Sequence, residues 1–147
     1  MLEEARRRLV ASPLATDPRL AEVLPVHGDF HFENVLFAQD RVAGLIDFDN
    51  ATVAPRPCDL GSALAVVCQQ REHEEDFLAA YESTSGLPRP DAEILRACVL
   101  LRLVNSLGFQ VVALTRRRVA SPEKARWWIR RLGGLLRAEL RDPKAVR

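Results

Sequence analysis

The stretch VHGDFHFENVLF, Val26 to Phe37, sets two histidines, an aspartate, a glutamate and an asparagine between short apolar residues. A strand that only filled a core would run as continuous or alternating Val, Ile and Leu. Ionisable side chains crowded between apolar flanks mark a site instead.

The polar residues have a rhythm. Asp29 is followed by Asn34 and then by Asp47, which closes the apolar run RVAGLIDF, Arg41 to Phe48. NVLF, Asn34 to Phe37, and RVAGLIDF are strand candidates joined by the polar AQD, so a small hairpin is expected. Strands that leave and return through a tight turn end side by side, which would bring Asn34 and Asp47 together. His27, Gly28, Asp29 and Asn34 fill an H-x-D-x-x-x-x-N frame, and Asp47-Phe48-Asp49 stands where kinase-type phosphoryl-transfer enzymes carry D-F-G. The chemistry fits the residue types. Magnesium takes hard oxygen ligands, usually one or two from protein and the rest from phosphate and water, which suits Asn34 and Asp47. An acceptor hydroxyl must be aimed at the γ-phosphorus and must lose its proton, which suits the carboxylate of Asp29.

Taken together, HGDFHFENVLF, GLIDFDNA and PCDLGSAL resemble the aminoglycoside phosphotransferase and choline kinase group of small-molecule kinases, over about Leu24 to Ala65. The resemblance implies a protein-kinase-like fold, with Asp29 as catalytic base, Asn34 and Asp47 as ligands of Mg²⁺ and so of ATP, and Asp59 as a brace for the catalytic loop. His27 is expected to be a buried, hydrogen-bonded support, and Asp49 either a further metal contact or a loop cap. The complete enzymes of this group carry an amino-terminal lobe with a phosphate-pairing lysine. Here Lys124 and Lys144 are the only lysines, both near the carboxyl end, and no G-x-G-x-x-G is present. The chain therefore resembles the carboxyl-terminal lobe alone, and a missing amino-terminal lobe or partner chain is expected to complete it.

The rest of the 147 residues reads as α+β, mainly helical, in a single domain. Residues 20–66 would carry the catalytic and metal-binding loops, and residues 67–147 a helical acceptor-side region. Leu2 to Val10 reads as a helix end, followed by a loop broken by Pro13, Pro18 and Pro25; TVAPRP is a second proline-punctuated loop. Asp59 is a fair N-cap for a helix to about Gln70. EEDFLAAYEST, the long DAEILRACVLLRLVNSLGFQVVALTRRR and PEKARWWIRRLGGLLRAEL show helical apolar spacing, the second apolar almost all round and so expected at the core. Trp127 and Trp128 read as packing anchors.

Composition narrows the class. At 48% hydrophobic and 28% charged the chain belongs with soluble globular proteins, and uninterrupted apolar runs such as Ala97 to Leu101 are too short for a membrane span. The amino terminus does not read as a secretory signal, and Cys58, Cys68 and Cys98 form no C-x-x-C pair, so reduced thiols and a cytoplasmic setting are expected. Net charge is +8 from Arg116 onward and −7 before it. The basic arginines are spaced like the wet face of a helix, which favours a solvated surface over nucleic-acid binding. The acidic run Glu72, Glu74, Glu75 and Asp76 is read as a solvated helix start rather than a cation trap.

Two rival readings stand beside the kinase. If the segment is extended, His27, Asp29 and His31 would share one face, as in a metal-dependent hydrolase. Alternatively, the chain is an inactive kinase-like lobe that acts as a binding module. The acceptor is open among an aminoglycoside, choline, homoserine or another hydroxyl-bearing small molecule.

Overall fold

Two residues, Gln39 and Asp40, fix the central hairpin. In the computed structural model, which describes residues 1–66 and 71–141, they have φ of 50° and 58°. Positive φ at both positions is what a two-residue type I′ connection requires, because its twist matches that of the strands it joins. The hairpin pairs β2 (Val35–Ala38) with β3 (Arg41–Leu45), Val35 opposite Leu45 and Ala38 opposite Arg41, with an irregularity between Leu36 and Phe37. The second strand is shorter than the apolar run suggests. After Leu45 the chain leaves the ladder, Asp47 takes a left-handed conformation and Phe48–Asn50 form a short 3-10 turn.

The two proline-broken loops are corrected by the structure. Val23–Val26 is β1 and Thr52–Pro55 is β4, and they pair antiparallel with Pro25 opposite Val53 and Pro55 opposite Val23. Proline removes a ladder donor and so argues against a central strand, but in a two-stranded sheet both strands are edges and the missing N–H can face away from the partner. The β1–β4 ribbon brings the chain segments on either side of the hairpin together.

Helices make up most of the remainder: α1 (Leu2–Ala11), α2 (Arg56–Val66), α3 (Arg71–Ser85), α4 (Ala92–Thr115) and α5 (Pro122–Arg141). The α2 helix begins ahead of Asp59, which lies in its first turn and is not its N-cap. The expected end near Gln70 lies outside the described residues. At α4, Asp91 caps the helix by accepting from the Glu93 and Ile94 N–H groups, and at α5 the Ser121 hydroxyl accepts from the Lys124 N–H at 3.2 Å behind Pro122.

As its apolar sequence implies, α4 is central: it packs against α1, α2 and α5, and Leu64, Ile94, Leu103 and Leu136 are its most completely buried neighbours and members. By length and composition alone it could cross a membrane; here it forms the wall shared by three other helices. The approach of α2 is very close, because a Cβ on Gly61 would lie 2.5 Å from the Cys98 Cβ. The acidic start of α3 is not simply solvated. Glu74 pairs with Arg96 in a half-buried contact that also reaches Glu139 at 3.8 Å, and Glu75 pairs with Arg89 at 2.9 Å. The tryptophans divide. Trp128 packs against the core, whereas Trp127 is 47% exposed, with the Arg131 guanidinium 5.1 Å from its ring.

Candidate functional site

The site is built where β1, the β2–β3 hairpin and the start of α2 meet. At the end of β1 the chain must turn sharply, and Gly28 does so with φ of 77°. Only glycine fits, since a Cβ there would lie 2.2 Å from the Asn50 carbonyl oxygen. Asp59 then fastens the turn: its carboxylate accepts from the Gly28 N–H at 3.0 Å and the His27 N–H at 3.3 Å. Free of capping its own helix, it holds the loop instead.

His27 is buried and uses both ring nitrogens within the protein. Nδ1 accepts from the Asp29 N–H at 3.3 Å, which leaves the proton on Nε2 to be donated to the Ile46 carbonyl at 2.9 Å. Phe48 covers the ring, centroid to centroid 4.6 Å. The histidine therefore ties the Asp29 loop to the end of β3 and leaves no lone pair for a metal.

Asn34 is 5% exposed, and its side-chain amide donates to the Asp29 carbonyl at 3.0 Å, leaving Oδ1 as its remaining acceptor. Its own carbonyl accepts from the Ile46 N–H at 3.0 Å, one residue before Asp47. Asp29, Asn34 and Asp47 are thus gathered into one neighbourhood by the Asn34 side-chain amide on one side and its backbone carbonyl on the other. Asp47 is exposed, with φ and ψ both 64°. That left-handed backbone is unusual outside glycine and is tolerated best by Asp and Asn; it swings the carboxylate out of the strand. Asp49 is also exposed, in the first turn behind Asp47, which caps that turn with no side-chain bond. One buried amide oxygen and one exposed carboxylate in the same neighbourhood are a donor set suited to a magnesium ion that takes its other ligands from phosphate and water.

The helical spacing of the α4 sequence does not single out Arg102. In the structure its guanidinium grips the Asp29 loop, Nη2 donating to the Asp29 carboxylate and Nη1 to the Gly28 carbonyl at 3.3 Å, while Nε is buried with no partner. A cation in the middle of an apolar helix is itself the signal that could have found it, because arginine is rarely buried unless paired. The other Asp29 oxygen lies 3.8 Å from His31 Nε2. Two cavities flank this pair: one of about 410 Å³ between α4, α5 and the Asp29 loop, and one of about 390 Å³ reaching Gly28 and Asn50.

The hydrolase arrangement does not form. With both His27 nitrogens occupied, His27, Asp29 and His31 cannot act as a ligand triad, and among the described residues no group of three His, Cys, Asp or Glu side chains is placed to hold a metal. Beside Asp59, the Cys58 and Cys98 thiols lie 3.8 Å apart as free cysteines. The hydrogen bond from Cys98 lowers the Cys58 thiol to about 7, against burial and the nearby Asp59 charge, and pushes Cys98 up.

The chain is 35% identical over 98 residues to an aminoglycoside 3'-phosphotransferase of Escherichia coli, a match that covers 67% of this chain and 32% of that protein. It is also 35% identical over 66 residues to the probable acyl-CoA dehydrogenase IBR3 of Arabidopsis thaliana, covering 43% of this chain and 8% of that protein. The chain therefore spans less than a third of the length of either relative. A family model described as "Phosphotransferase enzyme family" matches residues 1–98, from α1 through the first turns of α4 and including every candidate site residue except Arg102. The chain belongs to the phosphotransferase enzyme family.

Proposed function

We propose that this chain forms the catalytic centre of an ATP-dependent small-molecule kinase, in which the γ-phosphoryl group passes to an acceptor hydroxyl. The observation that carries the reading is the convergence of the Asp29 loop, Asn34 and the residues before Asp47 through the bonds at Ile46 and Asp29. Asp29 accepts the proton of the acceptor hydroxyl as its oxygen bonds to the γ-phosphorus and the bond to the ADP oxygen breaks. Asn34 and Asp47 would hold Mg²⁺, whose charge would offset that of the phosphates. His27 and Asp59 act only on the loop that presents Asp29, and Asp49 stands as an additional oxygen donor.

The chain contributes no glycine-rich phosphate loop and no lysine outside residues 124 and 144. A nucleotide-covering lobe, carried by a longer polypeptide or a partner chain, therefore completes the proposed enzyme. With that lobe supplied, Asp29→Asn is expected to lower phosphoryl transfer by about 10²- to 10⁴-fold in a protein that still folds, measured alongside its melting temperature. Turnover retained in a folded Asp29→Asn protein would remove Asp29 from this role.

A further inference from the structure

Resting on the phosphotransfer reading, we propose that the cavity between α4, α5 and the Asp29 loop takes an acceptor that carries a negative charge, a carboxylate-bearing alcohol with an apolar body. Its volume, about 410 Å³, suits a small molecule. Asp29 and His31 lie at one wall, Phe109 and Trp128 supply aromatic surface, and Arg102, Arg118 and Lys124 supply cations.

The charges do not cancel in favour of a cation. The cavity's carboxylates, Asp29 and Glu33, are each already matched: Asp29 by Arg102, and Glu33 by Lys124 at 4.0 Å. That leaves Arg118, which is exposed and forms no ion pair among the described residues, and the buried, unpartnered Nε of Arg102. The adjoining cavity adds Asn50, Asn105, Ser106 and Gln110, all neutral, and no carboxylate besides Asp29. A polyamine or a quaternary ammonium would find no spare negative charge here and would face a surplus positive one, whereas a carboxylate would pair with Arg118 in a two-point contact. The carboxylates of α3 offer no relief, since no residue of that helix lines either cavity. An acceptor seated on Phe109 and Trp128, its anionic end at Arg118, would extend toward the Asp29 wall with its hydroxyl.

Three probes of one shape test the charge alone: 4-(hydroxymethyl)benzoate, benzyl alcohol and 4-(hydroxymethyl)benzylamine, titrated into the chain and followed by tryptophan fluorescence and by amide shifts. The benzoate is expected to bind tightest. Arg118→Ala is expected to weaken it by about tenfold while leaving benzyl alcohol within about twofold, and Arg118→Glu to reverse the order of benzoate and benzylamine. The proposal is overturned if the amine binds the unaltered chain as well as the benzoate, if the benzoate fails to saturate by about 10 mM, or if Arg118→Ala leaves its affinity unchanged. These titrations need no nucleotide. Loss of charge selectivity would sink the acceptor assignment and leave phosphotransfer standing, whereas turnover retained in Asp29→Asn would remove Asp29 from the base role and leave the charge selectivity of the cavity as it is.

Discussion

Gly28 shows how little freedom the site leaves a single residue. Its φ of 77° and the 2.2 Å approach of the Asn50 oxygen to a Cβ position mean that even a methyl group must displace backbone. Gly28→Ala is expected to cost about 3 kcal/mol in chemical denaturation and to disturb the Asp29 loop, so that transfer falls together with stability. An alanine variant as stable as the parent would contradict the geometry. At this scale the sequence was partly legible. Asp29, Asn34 and Asp47 stand out because charged residues flanked by apolar ones need a reason. Arg102 did not stand out, because one arginine in a helical pattern looks like its wet edge until the loop it grips is known. Arg118 and Lys124 were hidden in the same way among many surface cations, since the loop before α5 and the α5 start gain meaning only when folded beside Asp29.

Elements were readable where turn chemistry or capping is local. The helical runs DAEILRACVLLRLVNSLGFQVVALTRRR and PEKARWWIRRLGGLLRAEL begin where α4 and α5 do, and the hairpin follows from two apolar runs with a short polar join. The β1–β4 ribbon was not readable, because prolines argue against strands and the pairing joins residues from opposite sides of the site. For Asp59 the local spacing suggested a helix cap and the family resemblance a brace for the catalytic loop, because an acidic residue near a helix start can serve as either; in the fold its carboxylate accepts from the Gly28 N–H at 3.0 Å. The contact of α2 with α4 makes a paired test. Gly61→Ala would push a Cβ to 2.5 Å from Cys98 and is expected to destabilise by about 2 kcal/mol in urea, whereas Gly108→Ala in α4, with nothing within 4 Å, is expected to stabilise by about 0.5–1 kcal/mol. Equal effects at the two positions would mean that the helices are not so close.

Across the molecule, the helices form a scaffold with α4 at its centre, and the two small ribbons hang the polar loops on its edge. The α+β, mainly helical character expected from composition and periodicity is what the structure has, since helical spacing over long segments is a strong signal. What the sequence placed less well is how charge is used: the acidic run of α3 is spent on helix packing, and basic residues line the cavity at Asp29. The central claim is that Asn34 and Asp47 share one magnesium–nucleotide site next to Asp29. Its most direct test is amide line broadening on titrating the chain with MnATP, the paramagnetic ion standing in for magnesium. Broadening is expected to centre on residues 29, 34 and 47 and to be lost in Asp47→Asn; broadening centred elsewhere, or unchanged in that variant, would rule out a shared ion at Asn34 and Asp47.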